Sequence, residues 1–474
     1  MHEARLCRIG RRMLTTGTAI AVLSAAAPSL ASADDSADLR IESYVLLVGA
    51  AKPTLAELQS GRGTERLREL AHQAEPGARL AQETVGPAGS YAPLSRQASG
   101  SAPVTQTEGA RSSMGARATA PEPARTMTFE ECEKGLGSDK KFFVKSRFAV
   151  CNGASFLQTW VRNNQPVGQS MFNVRVVGTI AKNSRTINFQ YYFTDFATTG
   201  TTGAAAMPIT TKGNIPQSWP SGVRYTRGGN MPGTKTFAEL KALRTFTQTV
   251  NAKPGQGSSG STDLIFAVYE PAISYTPPAG WTLSGAQGGK LFMLAPRWDA
   301  ASYLANSTGG GNPDRKGAAT FSYVPTMTYS AKPGAEERAV AQHIKTAFTK
   351  PEDTKPYMSA KKVLGQMASD PLHRTVNKDR RDANRKAAVK QCKRYWGANY
   401  SHGSTRECDE YPFATTYEGA AEHDFDEDAK KFNFSVKPIP EDDNGAGGNI
   451  LTSFYAKNRI IDGMNDGFIV KIVS

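Results

Sequence analysis

The sequence predicts an α+β fold: a β-rich sandwich or barrel-like region over residues 127–332, followed by a smaller mixed domain over residues 336–474. Three observations carry this. Phe172, Val174 and Val176, then Ile187, Phe189, Tyr191 and Phe193, alternate with polar residues on either side of a turn at Lys182-Asn183-Ser184, the pattern of a half-buried hairpin. Lys332-Pro333-Gly334 then breaks the pattern, and Val340, Ile344 and Phe348 recur at helical spacing beyond it. At 474 residues the chain is also too long for one ordinary core.

Taken in order, residues 1–33 have a basic start (Arg5, Arg8, Arg11, Arg12), an apolar run from Ala19 to Ala27 and Ala31-Ser32-Ala33, the pattern of a cleaved signal peptide. A secreted, extracellular protein is expected, with no later stretch apolar and long enough to form a transmembrane segment. Residues 34–126 are rich in Ala, Ser, Gly, Pro and Gln; a helix is expected near Thr54–Ala74, and the segment reads as low-complexity and either largely disordered or a pro-region. Further strands are expected at Phe142–Cys151, Phe156–Arg162, Leu264–Tyr269, Leu291–Leu294 and Phe321–Tyr329. Thr198–Asn214 and Gly255–Thr262 read as loops. In the last domain helices are expected over Ala335–Thr349, Asp379–Trp396 and about Ala446–Asn458, and strands over Phe432–Val436 and Phe468–Val473.

Export leaves four cysteines beyond the signal, and an even number outside the cell suggests disulfides. Of three possible connectivities, grouping along the chain favours Cys132 with Cys151 and Cys392 with Cys408. The formal net charge of +14 points to polyanionic partners: nucleic acid, anionic cell-envelope polymers or membrane surfaces. Its placement is more specific. Lys361, Lys362, Arg374, Lys378, Arg380, Arg381, Arg385, Lys386, Lys390, Lys393 and Arg394 lie just upstream of Asp409-Glu410, as a phosphate-backbone substrate such as DNA requires, although a solvated helical face explains such a run equally.

Two segments carry the chemistry. Cys408-Asp409-Glu410-Tyr411-Pro412-Phe413-Ala414 places adjacent carboxylates at the end of one element, and Asp442-Asp443-Asn444-Gly445-Ala446-Gly447-Gly448-Asn449 opens a helix. Together they offer oxygen ligands and a general base for a hard cation, a combination suited to phosphodiester hydrolysis.

The ordered set Asp409-Glu410-Tyr411-Pro412, Glu418-Gly419-Ala420, Asp443-Asn444-Gly445-Ala446-Gly447 and Gly448-Asn449 resembles secreted bacterial deoxyribonucleases of the NucA/NucB type, over about the last quarter of the chain. The resemblance implies a small ββα-metal endonuclease domain that cuts DNA with one divalent cation, Mg²⁺ or Mn²⁺. It places Asp409-Glu410 where related nucleases carry a histidine. Glu410 is then the expected base and Asp409 a metal ligand or base-orienting group, with exchange of the two roles open. Asn449 is the expected amide ligand, against helix capping, for which Asp442–Asn444 also qualify. Glu418 is a second ligand candidate or an ordinary surface glutamate. His402 and His423 are the alternative bases, or simply solvated. Arg394 and Arg406 are candidate phosphate clamps, against plain packing or solubility. Rival readings are a secreted glycan- or wall-binding β domain without catalysis and a nuclease toxin delivered to competitors; Trp160, Tyr191, Tyr192 and Trp298 are candidates for a binding surface, with core packing expected for most of them.

Overall fold

Two antiparallel-rich sheets stacked face to face make up the first part of the protein, in a computed structural model that describes residues 38–74, 118–258, 260–291, 293, 295–305 and 316–474. The expected signal peptide and most of the expected pro-region lie outside the described residues. The larger sheet runs Thr282–Gly285, Leu39–Leu46, Ala149–Arg162, Gln165–Ile180, Ile187–Gly200, Thr245–Ala252, Tyr225–Gly229, with Phe142–Ser146 added beside Ala149–Arg162. The smaller runs Ala318–Phe321, Pro296–Asp299, Ile265–Tyr275, Pro208–Trp219, Gly233–Thr236, with Gly288–Lys290 beside Ile265–Tyr275. Neither closes into a barrel among the described residues, so the sandwich alternative is the one realised.

Alternation explains the packing. Phe156, Phe172, Phe189 and Tyr191 of the larger sheet meet Ile209, Ile265, Tyr269 and Trp298 of the smaller in one apolar core. Phe189 stacks on Tyr269, whose hydroxyl meets that of Tyr191 at 2.6 Å. Trp160, Tyr191 and Trp298 are thus core side chains rather than a binding face. Ala149–Arg162 is buried on both faces because the helices Leu55–Gln59, Thr64–Ala74 and Phe129–Leu136 cover its outer side. Thr54 and Thr128 start two of these helices as capping boxes with Glu57 and Glu131. The Cys132–Cys151 disulfide ties the Phe129–Leu136 helix to the sheet.

Several expected boundaries move. Leu39–Leu46, within a stretch whose composition suggested little regular structure, is an inner strand paired on both edges. Thr198–Asn214 is mostly strand rather than loop: the buried residues of Pro208–Trp219 include Thr211, and half-buried threonines hide the apolar alternation. Phe321–Tyr329 divides between two sheets, and Leu291 and Met293 belong to no strand.

The second part is built from β1 (Thr326–Ser330), α1 (Arg338–Thr349), β2 (Leu372–His373), α2 (Lys378–Trp396), β3 (Arg406–Tyr411), β4 (Ser435–Pro440), α3 (Glu441–Lys457) and β5 (Gly467–Val473). β5 lies between β1, parallel, and β2, antiparallel. β3 and β4 form a separate two-stranded hairpin. Asp38–Ser474 is one compact unit, held across its two parts by buried ion pairs. Asp466, just before β5, accepts from Arg147 at 2.7 Å and Arg297 at 2.9 Å.

Candidate active site

The β3–β4 hairpin is the centre of a three-layer arrangement, and its alternation decides which side chains meet. Successive side chains of a strand point to opposite faces. Cys408 and Glu410 face α2: Cys408 is disulfide-bonded to Cys392, and Glu410 is ion-paired with Arg385, which also donates to the Cys408 carbonyl at 2.6 Å. Glu407, Asp409 and Tyr411 face α1 and α3. Asp409 Oδ2 lies 2.6 Å from His343 Nδ1 on α1, Tyr411 packs edge-on to Phe348 of α1, and Glu407 accepts from Asn444 on α3. Asp409 and Glu410, the expected ligand and base, thus have different partners, His343 on one face of β3 and Arg385 on the other.

Glu410 is buried, and burial pushes its carboxyl up to about 7, with the Arg385 charge opposing and Asp409 reinforcing the rise. It is an anchor between hairpin and α2.

Asn449 is half-buried on α3. At about 100° per residue, it lies roughly 140° around α3 from Asn444, the residue that touches β3. α3 starts at Glu441, directly after Pro440, five residues earlier than expected. Asp442–Asn444 therefore sit inside its first turn, and no side chain caps it. Asp443 instead accepts from the Ala339 N–H at the start of α1, at 2.7 Å.

Glu418 holds a different residue: its two oxygens take the backbone N–H of His373 at 2.9 Å and its Nδ1 at 2.7 Å. Arg406 donates across the hairpin to the Pro438 carbonyl at 2.7 Å, and Arg394 is exposed beside the Tyr395 ring on α2. His402 is exposed, as is His423, which contacts the Ala429 carbonyl.

The basic run also divides. Lys361 is buried against the Thr354 hydroxyl and the Phe434 carbonyl, and desolvation lowers its pKa to about 8. Arg374 is buried between the Tyr303 and Tyr455 rings. Lys386 and Lys390 stay exposed, and with Lys430 and Lys431 they line a cavity of about 400 Å³ beside α2.

Sequence reasoning missed His343, Glu407 and Asn444. His343 was visible as the single polar residue among the buried positions Val340, Ala341, Ile344 and Ala347 of α1. Pro440 followed by three acidic residues was the signal for an earlier start of α3. Glu407 and Asp409 alternate onto the same face of β3, and Asn444 of α3 donates to Glu407, so two carboxylates and an amide of hard-oxygen chemistry lie along that face. Among the described residues no group of three or more His, Cys, Asp or Glu side chains is placed to hold a metal ion. With Nδ2 of Asn444 committed to Glu407, its Oδ1 is the end left for a cation.

Residues 360–470 match the family model Deoxyribonuclease NucA/NucB. No curated protein and no solved structure matches the chain. NucA/NucB nucleases are generally divalent-metal dependent. The match spans α2, the β3–β4 hairpin, α3 and most of β5, the same elements that gather the carboxylates. The C-terminal region of this chain is a deoxyribonuclease domain of the NucA/NucB type.

Proposed function

We propose that the chain is a secreted endonuclease that hydrolyses DNA phosphodiester bonds with little sequence preference, using Mg²⁺ or Mn²⁺ held by Asp409 and Asn444. What supports this reading is that Glu407 and Asp409 share one face of β3 and that Asn444 of α3 contacts Glu407, all within the matched residues. A bound cation there supplies positive charge for the phosphoryl oxygens and lowers the pKa of a water. Asp409 is held by His343, and Asn444 donates its amide to Glu407. The exposed lysines of α2 offer phosphate contacts, which position a duplex without reading its sequence. Two disulfides support an oxidising compartment.

The test is cleavage of supercoiled plasmid, single-stranded DNA and RNA by the full chain with Mg²⁺, Mn²⁺ or chelator. Asp409→Asn and Asn444→Ala are expected to lose activity on the order of 100-fold or more, while Glu410→Gln and Asn449→Ala keep most of it. Activity that survives both chelation and Asp409→Asn overturns the proposal.

A further inference from the structure

We propose that His343 is a positioning residue for Asp409, so that the nuclease centre extends upstream of the family-matched residues onto α1. The inference rests on the metal-dependent function proposed above and adds to it a residue that the match at 360–470 does not contain.

His343 is 2 % exposed on the apolar face of α1. An imidazole in such a place is costly unless its nitrogens are paired, and both are. Nδ1 lies 2.6 Å from Asp409 Oδ2, and Nε2 lies 2.6 Å from Ser435 Oγ. A carboxylate only accepts, so Nδ1–H donates to Asp409, while Nε2 shares a hydrogen bond with the Ser435 hydroxyl. Ser435 is fully buried on β4, opposite Tyr411. The ring is thus fastened at one end to β4 and fixes the Asp409 carboxylate on β3 with the other.

The height of His343 above the hairpin is set by α3. Asp443 takes the Ala339 N–H one turn before His343, and Asp443 neighbours Asn444. Val340 packs over Gly447, where an added Cβ would come within 2.9 Å of Val340 Cγ2. Glycine at 447 lets α1 lie close to α3. The same first two turns of α3 therefore carry the amide donor and seat the helix that orients the carboxylate donor. Groups that hold a metal-binding side chain in place act on affinity through orientation, without touching the metal.

The test uses the full chain and three variants, with Mn²⁺ binding followed by calorimetry and by the Mn²⁺-dependent rise in Tm, alongside plasmid cleavage. His343→Gln places its amide near the Nε2 position, keeps the link to Ser435 and loses the one to Asp409; Mn²⁺ binding is expected to weaken about 10–100-fold. His343→Asn keeps an N–H donor near the Nδ1 position and is expected to stay within a few-fold of the parent. Ser435→Ala removes only the outer fastening and is expected to fall between them. Equal Mn²⁺ binding by His343→Gln and the parent overturns the inference, as does an equal loss in His343→Gln and His343→Asn that merely follows their metal-free Tm. Should neither His343 variant fold, Ser435→Ala decides, and an unchanged Mn²⁺ response refutes the positioning role. A parent that neither binds Mn²⁺ nor cuts DNA removes the proposed function itself, whereas a parent that does both while the variants match it removes this inference alone.

Discussion

Arg459, in the turn after α3, grips Asp299 of the β-sandwich with two bonds, Nη2 to Oδ1 at 2.7 Å and Nε to Oδ2 at 2.8 Å, both side chains being buried. Removing one partner of a buried pair strands the other charge away from water. Asp299→Ala is expected to lower stability by about 3–5 kcal/mol, measured by denaturant unfolding. A double variant that also removes the guanidinium is expected to lose less than the sum of the two single changes.

The sandwich and the nuclease are therefore not separable modules. Residues 336–474 alone lack β1, which pairs with β5, and both arginines that neutralise Asp466. Expressed in isolation, that segment is expected to show no cooperative thermal transition, whereas the full chain does. A sharp calorimetric transition from the fragment would refute this.

Glu410 gives stability a pH dependence of definite sign. Burial raises its folded-state pKa to about 7, above the usual value of 4.5, so between those values the folded state binds more protons than the unfolded one. Its contribution to stability therefore diminishes as pH rises from about 4.5 towards 7. Glu410→Gln, neutral throughout, is expected to lose less Tm than the parent between pH 5 and pH 8. Parallel Tm profiles would contradict the assignment.

The Cys392–Cys408 bridge closes a segment of 16 residues between α2 and the hairpin. Loop-closure entropy for a ring of that size is worth about 3 kcal/mol. The Cys392→Ser/Cys408→Ser double variant is expected to lose stability of that order in denaturant titration, with Cys132–Cys151 left intact as an internal control.

How much of this was legible depended on how local the cause was. The hairpin from Phe172 to Phe193 could be read because each side chain's burial follows from its parity in the strand. The strand Leu39–Leu46 escaped notice because its partners, Ala149–Arg162 and Thr282–Gly285, are distant in sequence and its flanks are polar. The Asp409-Glu410 segment announced the site, while the partners that each acid finds on opposite faces of β3, His343 and Arg385, come from distant helices. Gly445, Gly447 and Gly448 concealed the true start of α3, since three glycines argue against a helix that tertiary contacts nonetheless stabilise. His343 meets Asp409 across 66 residues, a pairing that no local pattern encodes.

Strand parity gives the disulfide a second role. Cys408 is bonded to α2, and its two neighbours along the chain are consequently locked in phase: Asp409 must turn towards α1, and Glu410 must turn back towards α2. Inserting a single residue between Cys408 and Asp409 would interchange the faces of the two acids, offering a longer carboxylate to the imidazole and a shorter one to the guanidinium. The bridge works as a ratchet tooth for the hairpin, and one covalent link on the α2 side keeps the opposite side in register for chemistry.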